Sequence, residues 1–185
     1  MPRSCNGGTR MELKAYGRIA ALAASLALAA APAGAKTLTF HALLDGKSGP
    51  EPTGSDATGK AKIKVDMDRK LVSVDLNVDG ITAPQLWAKL VARPIGPIHF
   101  HKYASAAGGA SVLVLPLPYG PSYHSLPHGL HVKMVRYDYD AGAKLLNSTL
   151  SFDDFVAAMK GGLVILNVHT DKFNPGEISG KVVED

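Results

Sequence analysis

The chain has 185 residues, of which 20 are basic and 16 acidic, so its formal net charge is +4. Such a length fits a single domain. Four basic residues and one acidic residue lie within residues 1–35, which leaves 16 basic and 15 acidic residues, a net charge of +1, for residues 36–185. A nearly neutral segment without a basic patch interleaved with aromatic residues is not expected to bind nucleic acid.

Residues 1–35 have the three-part order of a signal peptide. Basic residues come first, an apolar run follows over 19–30, and the small residues Ala33-Gly34-Ala35 come last. The apolar run is too short to span a bilayer, which needs about 20 residues. We therefore predict cleavage after Ala35 and a secreted or periplasmic protein; the alternative is an N-terminal helix that stays with the domain. Met11 is an alternative start, because a complete signal already follows it.

The mature chain, residues 36–185, is predicted to be one cysteine-free domain. The single cysteine, Cys5, lies in the leader, so the stability of this domain depends on its hydrophobic core. Apolar and polar residues alternate with a period of two through much of the domain, which indicates half-buried β-strands. The predicted strands are residues 37–42, 60–67, 72–78, 86–91, 98–103, 110–115, 130–137, 144–150, 163–169 and 177–183.

Many short strands with Gly- and Pro-containing turns between them predict an all-β sandwich or barrel. The predicted loops are residues 79–85, 92–97 and 116–129. The predicted core residues are Phe40, Val65, Val74, Leu76, Phe100 and Val168. One short helix is predicted over 151–160, because Ser151 and Asp154 form an N-cap pair and Gly161-Gly162 ends the apolar stripe.

The placement of histidines is the strongest chemical signal in the chain. His99 and His101 are two residues apart on a predicted strand, so both imidazoles project from the same face. His169 ends another predicted strand. Because imidazole is a common ligand of copper and zinc, these three residues form the predicted metal site.

Two alternatives to this site remain open. The first is a metal site in the Pro- and Gly-rich loop that holds His124, His128 and His131. The second involves no metal: His169 and its neighbours only brace the turn at residues 175–177 by hydrogen bonds. No residue of the chain is predicted to be catalytic.

Six blocks of the sequence follow one another in a characteristic order: Phe40-His-Ala-Leu-Leu44, Gly49-Pro-Glu-Pro52, Ser55-Asp-Ala-Thr-Gly59, His99-Phe-His101, Gly162 to Thr170, and Asn174-Pro-Gly-Glu-Ile-Ser-Gly180. In these blocks the sequence resembles the chordin-type domain, or CHRD domain, over about residues 37–183. The resemblance implies an exported protein of bacterial type with a Greek-key, immunoglobulin-like β-sandwich. It also implies a distant similarity to copper–zinc superoxide dismutases, which carry a His-x-His copper pair.

The chain departs from the family pattern at three places. Ser179 stands where the family usually has arginine, Ile165 stands where tyrosine is usual, and residues 116–131 form an expanded loop. The function implied is a non-enzymatic binding or structural module with a histidine metal site for copper or zinc. The alternative is a copper-dependent redox enzyme of the superoxide dismutase kind. The sequence names no protein partner, ligand or oligomeric state.

Overall fold

The computed structural model describes residues 36–49, 51–105 and 108–185. The predicted leader, residues 1–35, lies outside the described residues. The described strands are β1 Thr37–Asp45, β2 Thr58–Asp66, β3 Leu71–Asp79, β4 Ile98–Ser105, β5 Gly108–Leu117, β6 Tyr123–Leu126, β7 Gly129–Asp138, β8 Val164–Val168, β9 Ile178–Lys181 and β10 Val183–Glu184. The described α-helices are α1 Ala88–Val91, α2 Tyr139–Leu145 and α3 Phe152–Lys160, and a 3₁₀ turn covers Ala83–Gln85.

The strands pair antiparallel in one sheet. Their order is β5-β4-β8-β9-β1-β2-β3-β7-β6, and β10 pairs with β1. Strand β2 shows how the sequence produces this arrangement: Ala61, Ile63 and Val65 are buried, while the lysines that alternate with them are exposed. A period of two places one set of side chains on each face of the sheet. The predicted all-β, sandwich-like fold is therefore confirmed.

The core is formed by the inward faces of the strands together with α3. The six residues predicted to be in the core, Phe40, Val65, Val74, Leu76, Phe100 and Val168, are each at most 1% exposed. The ring of Phe155 on α3 packs edge-on against Phe100 and stacks on Tyr139 of α2, at centroid distances of 6.1 and 5.1 Å. These contacts fix α3 against β4, the strand that carries two of the candidate ligands.

The helix predicted over 151–160 is confirmed as α3. The Ser151 side chain accepts a hydrogen bond from the Asp154 backbone N–H at 3.1 Å, as an N-cap does. Two acidic residues in the first turn and Lys160 in the last turn favour the helix dipole.

Two of the predicted strands are wrong, and so is the prediction of a single helix. Residues 86–91 contain α1, whose first backbone N–H, that of Ala88, donates to Asp171 Oδ1 at 3.1 Å. Residues 144–150 contain the end of α2 and a turn. Asp138 is the N-cap of that helix, and its side chain accepts a hydrogen bond from Ala141 N–H at 2.7 Å. Asn147, which follows the end of α2, has a left-handed backbone conformation with a φ of 50°. A strand cannot continue through a residue in this conformation.

One predicted loop also contains a strand. Residues 116–129 include β6, which forms a hairpin with β7 and pairs His124 with His131. Its side chains are partly or fully exposed, so its apolar pattern is weak. No helix in the described part of the chain is long and apolar enough to cross a membrane.

Candidate metal centre

Three histidine side chains converge beside β4 and β8. His99 and His101 project from β4, and His169 directly follows β8, the strand that pairs with β4. One ring nitrogen of each lies within 4.8 Å of those of the other two. The ring centroids of His99 and His169 are 4.8 Å apart, and that of His101 lies 5.9 and 5.8 Å from them. The structure thus brings together the three residues that the sequence analysis selected.

Backbone carbonyls determine which nitrogen is protonated on the two closest rings. His99 Nε2 lies 2.6 Å from the carbonyl oxygen of Gly96, and His169 Nδ1 lies 2.7 Å from that of Asn174. A carbonyl oxygen only accepts hydrogen bonds, so these two ring nitrogens carry the protons and donate. In neutral imidazoles the other nitrogens, His99 Nδ1 and His169 Nε2, then face each other as lone pairs at 3.2 Å.

His101 supplies the third nitrogen of the cluster. Its Nε2 atom is buried and has no hydrogen-bond partner among the described residues. A buried polar atom without a partner carries a desolvation cost of about 1–3 kcal/mol. A cation bound between the rings would remove this cost and would also separate the two facing lone pairs.

The environment keeps the three imidazoles neutral. Burial, followed by the effects of the neighbouring His169 and His101 rings, lowers the pKa of His99 to about 3, although the hydrogen bond to Gly96 opposes that shift. Burial, followed by the effect of His169, lowers the pKa of His101 to about 4. Burial also lowers the pKa of His169, although the hydrogen bond to Asn174 opposes that shift. Neutral imidazole is the form that binds metal ions.

The bracing hydrogen bonds are present as well. Asn167 Nδ2 donates to the Pro175 carbonyl oxygen at 3.0 Å, and Thr170 Oγ1 donates to Glu177 Oε2 at 2.6 Å. Gly176 has a φ of 130°, and a Cβ atom there would overlap the Asn167 side chain. His169 braces the same loop through Nδ1 alone, which leaves Nε2 directed at the cluster.

A small cleft reaches His101. Its volume is about 160 Å³, and Glu51, Tyr103, Ser111 and Ser179 are among the residues that line it. Ser179, at the position where the family resemblance leads us to expect arginine, is buried and donates a hydrogen bond to Asn167 Oδ1 at 3.1 Å. A short neutral side chain at this position leaves the cleft beside His101 unfilled by protein.

The loop histidines occupy a different part of the sheet. The rings of His124 on β6 and His131 on β7 are 5.9 Å apart, and His131 Nε2 donates to Asp75 Oδ1 at 2.8 Å. His128 lies in the turn between the two strands. In the part of the chain that the structure describes, the convergent ligand group is that of His99 and its two partners, and the loop histidines do not form one.

Sequence reasoning missed the groups that support the cluster. Two of them are backbone carbonyls, of Gly96 and Asn174, whose role depends on loop geometry and not on residue type. The third is Trp87, whose ring centroid lies 6.3 Å from that of His169. An isolated antiparallel β-bridge joins Leu86 to Thr170, the residues next to Trp87 and His169. This pairing is non-local, so the sequence alone does not predict it.

The fold and the site define an all-β domain with a largely buried cluster of three histidines, two on β4 and one directly after the paired strand β8. The CHRD domain family model matches residues 40–182, which is most of the chain. The protein belongs to the CHRD domain family. The comparisons with curated proteins and with solved structures gave no match.

Proposed function

We propose that this CHRD-domain protein is an exported, non-enzymatic module that binds one copper or zinc ion through His99, His101 and His169. The observation that carries the proposal is the 3.2 Å contact between two ring nitrogens whose other nitrogens both donate to carbonyls. Two lone pairs in contact inside a protein repel each other. A metal ion between them turns that repulsion into two coordinate bonds.

The distances support a first-row transition metal. Zinc–imidazole bonds are about 2.0–2.1 Å, which places two tetrahedral ligands about 3.4 Å apart. The separation of 3.2 Å between His99 Nδ1 and His169 Nε2 is close to this value. The largest separation within the cluster, up to 4.8 Å, requires His101 to move inward on binding. Copper(II) is favoured over zinc at nitrogen sites of equal geometry.

The same cluster argues for binding rather than dismutase chemistry. A copper–zinc dismutase site needs a second metal position with a carboxylate ligand beside the copper. The candidate ligand group in the described residues contains three histidines and no carboxylate. The carboxyl groups nearest in sequence, Asp171 and Glu177, accept hydrogen bonds from Ala88 N–H and from the Thr170 hydroxyl. We therefore place the redox alternative second.

Export supports a scavenging or structural use of such a site. The basic and apolar segments before Lys36 have the pattern of a cleavable signal, and the mature chain would act in the periplasm or outside the cell. A buried all-histidine site needs no thiolate and so tolerates an oxidising compartment.

The test is titration of metal-free protein with Cu(II) and with Zn(II). Binding is measured by calorimetry and by tryptophan fluorescence. Trp87 is the only tryptophan in the chain, and its ring lies 6.3 Å from that of His169. Bound Cu(II) should therefore quench its emission at one equivalent, and a large excess of Zn(II) should reduce that quenching. Mass measurement of exported protein, expected to begin at Lys36, tests the location.

Variants separate the two histidine clusters. His99→Ala and His169→Ala should each weaken binding at least about tenfold, because one of three coordinate bonds is lost. The matched control, in which His124, His128 and His131 are all replaced by alanine, should bind as the unmodified protein does. Loss of binding in the control alone would move the site to the loop. If neither the unmodified protein nor any variant binds metal stoichiometrically, the proposed metal site is wrong and the domain is a binding or structural module without metal.

A further inference from the structure

Lysines collect on the exposed face of three neighbouring strands. Lys62 and Lys64 project outward from β2, and Lys133 projects outward from β7. The sheet register places Lys62 and Lys133 on opposite sides of Asp75, which lies on β3 between them. These lysines and the residues between them line a shallow groove of about 410 Å³. We call this the lysine groove: Lys62, Lys64, Ser73, Asp75, Lys133 and Val135.

The lysine groove has an excess of positive charge that the protein does not neutralise. None of its three lysines belongs to the ion pairs found among residues 36–49, 51–105 and 108–185. Its one carboxylate, Asp75, already accepts a hydrogen bond from His131 Nε2 at 2.8 Å. Three ammonium groups on one side of the domain therefore face solvent, although residues 36–185 as a whole are nearly neutral.

Protection of a sheet edge does not explain these lysines. Charged residues, lysine above all, are common on edge strands, where they prevent a second chain from pairing. Strand β2 is hydrogen-bonded to β1 on one side and to β3 on the other, and β7 lies between β3 and β6. Lys62, Lys64 and Lys133 are thus on interior strands.

The spacing of the charges lets one extended anionic chain contact more than one lysine. Residues two apart on a strand are about 6.7 Å apart, and strands two positions apart in a sheet are separated by about 9.6 Å. These values give the approximate spacings of Lys62 from Lys64 and of Lys62 from Lys133. Between the lysines, Ser73 Oγ accepts from Arg136 N–H at 2.9 Å and Asp75 Oδ1 is bonded to His131, so the Ser73 hydroxyl hydrogen and Asp75 Oδ2 are left for hydroxyl groups of a ligand.

We infer that the lysine groove binds a polysaccharide that carries carboxylate groups. Ammonium groups would contact the carboxylates, the Ser73 hydroxyl would donate to a sugar oxygen, and Asp75 Oδ2 would accept from a sugar hydroxyl. No aromatic side chain lines the groove, so the base stacking that single-stranded nucleic acids use is not offered there. Only Val135 is a strongly exposed apolar side chain in it, at 63%, which is too little for insertion into a bilayer.

The experiment measures binding of the metal-free protein to polygalacturonate, by calorimetry at several salt concentrations. The affinity should fall steadily as sodium chloride is raised, because ion contacts are screened. Replacing Lys62, Lys64 and Lys133 together by glutamine should lower the affinity at least about tenfold and flatten the salt dependence. Single replacement of Lys133 should give a smaller loss in the same direction.

The matched control carries the same change in charge away from the groove. Lys47, Lys89 and Lys144 are exposed and lie in other parts of the domain, so their replacement by glutamine should leave the affinity unchanged. Thermal denaturation shows that both variants are folded. Equal loss in the two variants, or no measurable binding, would overturn the inference. So would tighter binding, through the same lysines, to vesicles of an anionic phospholipid or to duplex DNA. The metal site plays no part in this test, so the two proposals fail independently.

Discussion

His99 and His169 lie 3.2 Å apart through their inward nitrogens, and each donates its outward N–H to a backbone carbonyl. This arrangement joins two roles that the sequence alone presents as alternatives. The outward nitrogen of His169 holds the loop after β8, while its inward nitrogen remains available to a metal ion. Loop bracing therefore orients the ligand, as outer hydrogen bonds commonly do at metal sites.

The first prediction concerns the layer beneath the cluster. Phe100 lies between His99 and His101 in sequence, points to the opposite face, and is fully buried against Phe155. Phe100→Ala should lower the free energy of unfolding by about 3–5 kcal/mol, because it removes a large buried side chain and leaves a cavity. Urea denaturation measures this. Val135→Ala, at a position that is 63% exposed, is the control and should cost far less.

The second prediction tests whether the loop orients His169. Gly176→Ala should weaken Cu(II) binding at least about tenfold, because the new Cβ would overlap Asn167 and displace the loop that carries the Asn174 carbonyl. Gly162→Ala is the matched control. Gly162 also has a positive φ, 65°, but has open space around its Cβ position. Equal metal affinity in the two variants would show that the loop does not position the ligand.

The sequence predicted the ligands better than it predicted their surroundings. His99 and His101 follow from the period of two on a strand, and His169 follows from the end of a strong apolar run. The pairing of β4 with β8, which brings them together, depends on non-local contacts that no local pattern contains. The roles of the Gly96 and Asn174 carbonyls cannot be predicted from the sequence, because every residue has a backbone carbonyl.

The failures in secondary structure have the same physical origin. Residues 86–91 and 144–150 are short apolar stretches, for which strand and helix patterns are hard to distinguish. Their helices are decided by caps and by tertiary contacts: Asp171 Oδ1 accepts from Ala88 N–H at 3.1 Å, and Asp138 caps α2. Helix α3 was predictable because its N-cap, its apolar stripe and its glycine stop all agree.

The third prediction concerns pH. The pKa of His99 falls from 6.5 to about 3 on folding, and that of His101 to about 4. Below pH of about 6.5 the unfolded chain therefore binds protons that the folded chain does not, so stability is lost as the pH falls from 6.5 toward 4. Urea denaturation of metal-free protein across this range measures the loss. His101→Gln should flatten the slope, and a slope of zero in the unmodified protein would contradict the burial argument.

The same pKa values alter the expected pH dependence of metal binding. Free histidine loses metal as the pH falls through about 6.5. Here His99 and His101 stay neutral well below that value, and burial lowers the pKa of His169 as well, so protons compete less with the metal ion between pH 7 and pH 5 than they do at free histidine. Copper affinity, measured by quenching of Trp87, should therefore fall less over this interval than the affinity of an unstructured histidine peptide does. An equal decrease in the two would show that the folded site is protonated at pH 5.

The last prediction concerns the route by which a metal ion reaches His101. The cleft of about 160 Å³ beside this ring has Ser179 in its wall and Glu51 among its lining residues. Ser179→Arg would place a long cationic side chain in the cleft, where Glu51 is available as its partner. The arginine should fill the passage and repel an entering cation.

We expect Ser179→Arg to slow quenching of Trp87 by Cu(II) at least about tenfold in stopped-flow measurements, since like charge lowers association rates. Ser179→Ala is the control, because it removes the hydrogen bond to Asn167 Oδ1 but leaves the cleft open. The alanine variant should take up copper at the unmodified rate. If both variants are equally slow, the hydrogen bond and not the opening of the cleft governs entry. If neither is slow, the ion reaches the three histidines by another path.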